Sequence, residues 1–266
     1  GESYGGTRVM GLSYELQSRH WMYLNGVIMV SPADYKLFED GDAVNSSLHL
    51  PYYSATAWYH KALNEELQSK DLYDILPEVE DFTINELIPA IAKGGFISAD
   101  EKDKIAAKYS FYSGLSKKFV LNNNLDVPNN SFWKELLRDK NGLTVGRLDS
   151  RYRGIDKRIA GSSPDTNIEL NSWNHSFTPA INYYVKNELN FETDIKYNVF
   201  GPVHPWDREN DNTRENLRKA MAQNPFLKVF IQSGYYDGAT NYFQAKYTMW
   251  QVDPSGKMKD RFYFEG

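Results

Sequence analysis

The chain begins Gly1-Glu2-Ser3-Tyr4-Gly5-Gly6, and this stretch decides the fold. It has the pattern Gly-x-Ser-x-Gly, which places a serine on a tight turn between a strand and a helix with its hydroxyl exposed. Such a turn brings backbones close together, so the flanking Gly1 and Gly5 must be very small and Ser3 is expected to adopt a positive φ. A Gly/Ser-rich loop has the same composition, so the segments that follow must distinguish the two interpretations.

Those segments favour the turn. Residues 7–19 place apolar side chains on one face at near-helical spacing. Residues 25–32 are a short apolar run that ends in Ser-Pro, which predicts a buried strand and then a turn. The first amides of the helix would point at Ser3, where negative charge develops in acyl transfer.

The composition is that of a globular protein. The 266 residues are 41% hydrophobic and 24% charged, with a net charge of -5. This charge does not indicate a nucleic-acid or membrane-surface partner, and no stretch has the length and apolarity of a membrane span or a signal peptide. The absence of cysteine excludes disulfides, thiolate metal sites and a cysteine nucleophile. No metal cluster, phosphate loop or nucleotide fingerprint is present, so we expect no metal and no cofactor.

The middle of the chain is predicted to be a helical insertion. Helix signals dominate between the two ends, whereas strand signals are confined to them. We therefore expect an α/β core formed by residues 1–47 and 201–266, which carries a mainly helical insertion at residues 48–200. Residues 146–175 are rich in Gly, Ser, Asp and Asn and predict a loop. Helices are predicted at residues 81–92, 98–113, 128–138, 210–222 and 241–251, and later strands at residues 226–234 and 261–264.

A second candidate residue follows the first of those later strands. Residues 226–234 are an apolar run typical of a parallel sheet, and Asp237 lies in the loop after it. In the α/β-hydrolases, which share the serine pattern, an acid on such a loop orients a histidine. An Asp in this place also often forms a turn or caps a helix. Because one more helix and strand follow, we predict that Asp237 is the catalytic acid.

The histidine of such a triad is expected after the last predicted strand, and none is present there. All five histidines precede Asp237, and each is predicted to be a surface or packing residue rather than a general base. A loop could bring His204 to the site, but only against the chain order of this fold. The sequence alone therefore leaves the triad incomplete. The histidines are His20, His49, His60, His175 and His204.

Several stretches resemble the serine carboxypeptidases, in particular their bacterial relatives. Residues 2–6, Glu-Ser-Tyr-Gly-Gly, are similar to the serine turn of that family, which has Glu before the serine and Tyr after it. Residues 228–237 resemble its acid-bearing strand and loop, and residues 55–60 and 145–149 resemble its insertion. The resemblance covers most of the chain, and it implies an α/β-hydrolase fold and hydrolysis of C-terminal peptide bonds.

The resemblance also implies roles for individual residues. Ser3 would be the nucleophile, Asp237 the acid that orients the histidine, and the backbone N–H of Tyr4 an oxyanion donor. Glu2 would share a proton with the free carboxylate of the substrate. Since two carboxylates in contact cannot both stay ionised, activity would then favour acid pH. Glu2 could also be a buried hydrogen-bonding residue that supports the turn.

The chain departs from the family at both ends. The family has a Gly-His pair after its last strand, where this chain ends in Glu265-Gly266, and N-terminal strands that carry a second oxyanion donor. We therefore expect a fragment of a longer hydrolase, inactive because the base is missing. An unpaired sheet edge would then promote association. The resemblance also suggests a secreted or periplasmic protein.

Two other functions remain open. An esterase or acyltransferase would use the same serine on ester substrates, and the aromatic, helical insertion could act as a non-catalytic binding module. For the carboxypeptidase hypothesis the expected partner is a peptide with a free C-terminus, with no nucleic acid and no membrane. The insertion would then form a lid over the site and select the side chain of the substrate.

Overall fold

A computed structural model describes residues 1–33, 42–195 and 212–266 of the chain. The described residues form a mixed α/β structure that is mostly helical. The helices are α1 Tyr4–His20, α2 Ala43–Ser47, α3 Leu50–Tyr59, α4 Glu65–Gln68, α5 Leu72–Phe82, α6 Ile88–Ala92, α7 Ala99–Ser113, α8 Lys117–Asn122, α9 Asn129–Glu135, α10 Arg138–Asn141, α11 Ile168–Tyr183, α12 Thr213–Gln223 and α13 Tyr242–Val252. The strands are β1 Gly26–Val30, β2 Thr144–Val145, β3 Arg153–Gly154, β4 Lys228–Gln232 and β5 Phe262–Glu265.

The main sheet is parallel, in the order β1-β4-β5. Val30, Gln232 and Glu265 lie in one row across it, at the carboxyl ends of the three strands. Glu2 extends this row beyond β1 through a parallel bridge with Val30, so the first two residues run in the same direction as the strands. The predicted strands at both ends of the chain are therefore confirmed.

One face of this sheet is covered by helices. Inward-facing side chains of β1 and β4 pack with α1, α12 and α13 in one apolar cluster, within which Met29, Val229 and Ile231 are almost fully buried. On the other face, Ile28 and Tyr263 are 56% and 45% exposed. The strand predicted to be buried is thus buried on one side only, because these helices all lie on the same face of the sheet.

Helices α3 to α9 of the predicted insertion form a second apolar core. Its centre contains the fully buried Tyr52, Tyr53 and Phe132, in which the ring centroids of Tyr53 and Phe132 are 3.9 Å apart. A third cluster joins α3 and α5 of this helical block to α13 beside the sheet. The boundary that the sequence predicts between residues 200 and 201 lies outside the described residues.

Two predictions in the block need correction. The predicted loop at residues 146–175 contains β3 and the start of α11, so it is wrong at residues 153–154 and 168–175. The predicted helix at residues 81–92 is interrupted by a π-helical turn, Thr83–Leu87. Pro89 lies just after this turn and has no N–H to donate within the helix, which accounts for the interruption. The helix predicted at residues 98–113 is present as α7, which is capped by the Ser98 side chain and ends at a left-handed Gly114.

Candidate functional site

The backbone of Ser3 is held in a strained turn. Its φ is 51° and its ψ is -121°, a conformation that costs a non-glycine residue on the order of 1–3 kcal/mol. The Ser3 amide donates to the Val30 carbonyl at 2.9 Å, while the amides of Gly6 and Ala33 donate to the Ser3 carbonyl at 2.9 and 3.1 Å. The predicted positive φ is confirmed, and it is fixed by hydrogen bonds to β1, α1 and the segment after β1.

The turn needs glycine at two places. A Cβ on Gly1 would lie 2.1 Å from the Gly5 carbonyl oxygen, and one on Gly6 would lie 2.7 Å from Cβ of Pro32. A Cβ on Gly5 would meet no atom within 4 Å. The close approach predicted for Gly1 is present, whereas that predicted for Gly5 falls at Gly6 instead.

The side chain of Ser3 stands at the N-terminus of a long helix. Ser3 occupies the N-cap position of α1, but its hydroxyl makes no capping hydrogen bond and no other hydrogen bond within the described residues. Tyr4 provides the first amide of the helix, and the first turn contains no acidic residue. The partial positive charge of this helix end therefore acts on the space around the hydroxyl.

Glu2 lies next to this turn and is exposed. Its carboxylate forms no ion pair with the residues that the structure describes. The exposed position disagrees with the alternative in which Glu2 is a buried support for the turn. A charged or protonated partner from solvent can reach it.

Asp237 lies in the loop that follows β4, and its carboxylate is fully oriented. Oδ1 accepts from the amides of Ala239 and Thr240 at 2.8 and 3.0 Å, and Oδ2 accepts from the Thr240 hydroxyl at 2.9 Å. These bonds are those of an Asp-initiated turn, the alternative that the sequence left open. They also leave Oδ2 able to accept from a further donor.

Ser3 and Asp237 lie at the same edge of the sheet. Ser3 directly follows Glu2, and Asp237 follows Gln232, and both of these residues belong to the row at the carboxyl ends of the strands. Glu2 pairs with β1 and β1 pairs with β4, so two strand spacings, roughly 10 Å, separate the backbone of Glu2 from that of β4. Ligands of parallel sheets bind at this edge.

The helical block holds the loop that carries Asp237, a role that the sequence did not predict. The Ser150 amide donates to the Tyr236 carbonyl, and the Gly238 amide donates to the Arg147 carbonyl, each at 2.9 Å. Nδ2 of Asn129 donates to the Gly238 carbonyl at 3.3 Å. No local sequence signal could have found these contacts, because the partners are 86 to 109 residues apart.

An aromatic cavity of about 320 Å³ lies at the carboxyl ends of β4 and β5. The rings of Tyr73 and Tyr242 each contact the ring of Tyr235, at centroid distances of 5.8 and 4.8 Å. Burial raises the pKa of Tyr242 well above its usual value, so this hydroxyl stays protonated. Nζ of Lys246 and Oε2 of Glu80 form an ion pair in the wall at 2.5 Å.

None of the four described histidines contacts the serine or the acid. His20 is exposed at the far end of α1, and His175 is exposed on α11. Nε2 of His60 lies 2.7 Å from the Ser150 carbonyl, and Nδ1 of His49 lies 3.0 Å from Nδ2 of Asn241. His204 lies outside the described residues. The surface and packing roles predicted for the first four histidines agree with these contacts.

Within the described residues, no group of three or more His, Asp or Glu side chains is arranged to hold a metal ion. Nor does this part of the chain contain a helix long and apolar enough to cross a membrane. Comparison of the chain with protein-family models, with curated protein sequences and with solved structures found no match.

Proposed function

We propose that this chain carries the nucleophile and the acid of a serine-type carboxypeptidase with an α/β-hydrolase core. The observation that carries the proposal is the conformation of Ser3 at the carboxyl edge of a parallel sheet, with a hydroxyl at the N-terminus of α1 that makes no hydrogen bond to the described residues. A strained serine whose side chain caps no helix amide contributes little to the stability of the turn. A nucleophile, in contrast, needs its hydroxyl to be accessible to the substrate.

In this proposal Ser3 attacks the scissile carbonyl and forms an acyl-enzyme. The developing oxyanion is stabilised by the Tyr4 amide and by the positive end of α1. Asp237 orients the histidine that removes the serine proton and later returns it to the leaving amine. The proposal assigns this base to a histidine other than His20, His49, His60 and His175, since none of these four contacts Ser3 or Asp237 among the described residues.

Glu2 gives the proposal its preference for a free C-terminus. Its exposed carboxyl, one residue before the nucleophile, would share a proton with the terminal carboxylate of a peptide. An esterase or acyltransferase on the same scaffold would not need this residue. Glu2→Gln should therefore weaken hydrolysis of peptides with a free carboxylate and leave simple ester hydrolysis unchanged.

The test uses a fluorophosphonate, a reagent that forms a covalent bond with activated serines. We expect a protein that combines this chain with the histidine base to be labelled at Ser3, and Ser3→Ala to remove the label. Asp237→Asn should slow labelling by at least a hundredfold, because the imidazole would lose its orientation. Equal labelling of the wild type and Ser3→Ala would refute the proposal.

The substrate class is tested on the same protein with a dipeptide that is blocked at its N-terminus and has a free C-terminus. Hydrolysis that depends on Ser3 supports the peptidase, whereas hydrolysis of esters alone supports the second candidate. His204→Gln in this protein should retain full activity. A loss comparable to that of Ser3→Ala would assign the base to His204 instead.

A further inference from the structure

A second cavity lies beside the Asp237 loop, in the helical block. Its volume is about 590 Å³, within the range of ligand pockets. Two of its lining residues, Gly238 and Ala239, directly follow Asp237. A ligand in this cavity would therefore touch the loop that carries the proposed acid.

The walls of this cavity are held by buried contacts. Nζ of Lys134 lies 2.5 Å from Oδ2 of Asp156, and both side chains are almost fully buried. Asp156 also accepts from the amide of Asp165, which lines the cavity. Nε1 of Trp133, which also lines the cavity, donates to the Tyr52 hydroxyl at 2.7 Å, and this bond fixes the indole ring in the wall. The cavity is preformed, so a ligand need not organise it.

Arg147 supplies the positive charge in the lining of this cavity. This residue is exposed and lines the cavity, and its guanidinium forms no hydrogen bond or ion pair with any residue that the structure describes. The carboxylate of Asp165, the other charged lining residue, already accepts from the Lys157 amide at 2.7 Å. A free guanidinium is a fork of donors that matches a carboxylate.

The remaining polar lining is uncharged. The side-chain amides of Asn130 and Asn167 make no hydrogen bond within the described residues, and each offers both donors and an acceptor. These are the groups that a peptide backbone can bind. The lining thus combines a guanidinium and side-chain amides that have no partner among the described residues with one carboxylate, Asp165, and an aromatic ring.

We propose that this cavity is a binding site for a carboxylate-bearing peptide, with Arg147 as the residue that recognises the carboxylate. The choice of a peptide as occupant rests on the proposed function, whereas the preference for a carboxylate rests on Arg147 alone. The carboxylate is either an acidic side chain or a free C-terminus. In both cases Arg147 determines specificity and takes no part in bond breaking.

The experiment measures binding by titration calorimetry on the 266-residue chain, and it needs no catalysis. The probes are an N-acetylated, C-amidated Ala-Glu-Ala, the matching Ala-Gln-Ala, and Ala-Gln-Ala with a free C-terminus. We expect at least one carboxylate probe to bind on the order of tenfold more tightly than the neutral one. The probe that shows the preference identifies the source of the carboxylate.

Arg147→Gln should reduce this preference to less than about twofold, because the charged guanidinium is lost. The fold should remain, since the Arg147 carbonyl that receives the Gly238 amide belongs to the backbone. Arg147→Lys should keep part of the preference. Arg19→Gln, which removes an exposed charge at the far end of α1, should keep all of it. Equal binding of the three probes, or an unchanged preference in Arg147→Gln, would overturn the inference. Failure of Ser3 labelling would refute the proposed function without affecting this result.

Discussion

Gly238→Ala tests how tightly the loop of Asp237 is packed against the helical block. A Cβ at this position would lie 2.4 Å from the hydroxyl oxygen and 2.7 Å from Cζ of Tyr52, and 3.0 Å from the Arg147 carbonyl oxygen. Tyr52 is fully buried, and its hydroxyl receives the indole N–H of Trp133. Neither neighbour can move without breaking a buried hydrogen bond.

The expected cost follows from these distances. Overpacking of a buried site by one methyl group costs about 1–3 kcal/mol, and loss of the bond from Trp133 adds about 1 kcal/mol. We therefore expect Gly238→Ala to lower the free energy of unfolding by about 2–4 kcal/mol. Gly234→Ala is the matched control in the same loop, since a Cβ there meets no atom within 4 Å. Neither glycine has a positive φ, so backbone strain does not separate the two variants.

The assay is urea unfolding followed by far-ultraviolet circular dichroism at 25 °C. Gly234→Ala should differ from the wild type by less than about 1 kcal/mol, with a small gain from the stiffer unfolded chain. Tyr52→Phe removes the closest atom, so its combination with Gly238→Ala should cost less than the sum of the single changes. A loss of less than about 0.5 kcal/mol in Gly238→Ala, or equal losses in the two alanine variants, would refute the packing argument.

Three further predictions follow from buried or strained groups. Lys134→Met leaves the buried Asp156 carboxylate unpaired and should lower the free energy of unfolding in urea by about 3–5 kcal/mol. Lys134→Met combined with Asp156→Asn should lower it by less. Equal losses in the single and double variants would contradict this prediction. Burial lowers the pKa of His49 from 6.5 to about 4. In acid the unfolded chain therefore binds more protons than the folded chain. The stability that the neutral ring contributes is complete above pH 6.5 and is lost as the pH falls toward 4. The His49 side chain keeps some contact with water, so about 2 kcal/mol is an upper value for the stability lost between pH 7 and pH 5. This loss should be absent in His49→Asn. The same loss in that variant would exclude His49 as its source. Ser3→Gly should be about 1 kcal/mol more stable than Ser3→Ala in thermal unfolding, because only glycine adopts a φ of 51° without strain, and equal stability would show that the turn is relaxed.

The turn at Ser3 could be predicted from the sequence because its cause is local. The pattern Gly-x-Ser-x-Gly, followed by a helical pattern and a strand, predicts a sharp turn at the serine from a few residues alone. The common edge of Ser3 and Asp237 could also be predicted, since the carboxyl ends of parallel strands meet at one side. Both predictions needed only the order of the elements.

The contacts that depend on distant partners could not be predicted. Gly6 needs to be glycine because of Pro32, whose position depends on the pairing of Glu2 with β1. The helix in the predicted loop begins at Ile168, and the carboxylate of Glu169 in its first turn accepts from the Leu148 amide. This contact joins segments about 20 residues apart, so the polar composition of the segment masked the helix.

The two candidate residues are supported in different ways, which has a consequence for how the site can fail. Ser3 is held by β1, α1 and the segment after β1, whereas Asp237 follows a strand of the sheet but is held by the helical block. Loosening of the block would therefore displace the acid and leave the nucleophile in place. Amide hydrogen exchange tests this asymmetry in Lys134→Met. The Gly238 amide, which donates to the block, should exchange faster, while the Ser3 amide, which donates to β1, should keep its protection. Equal acceleration at both amides would show that the sheet and the block unfold as one unit.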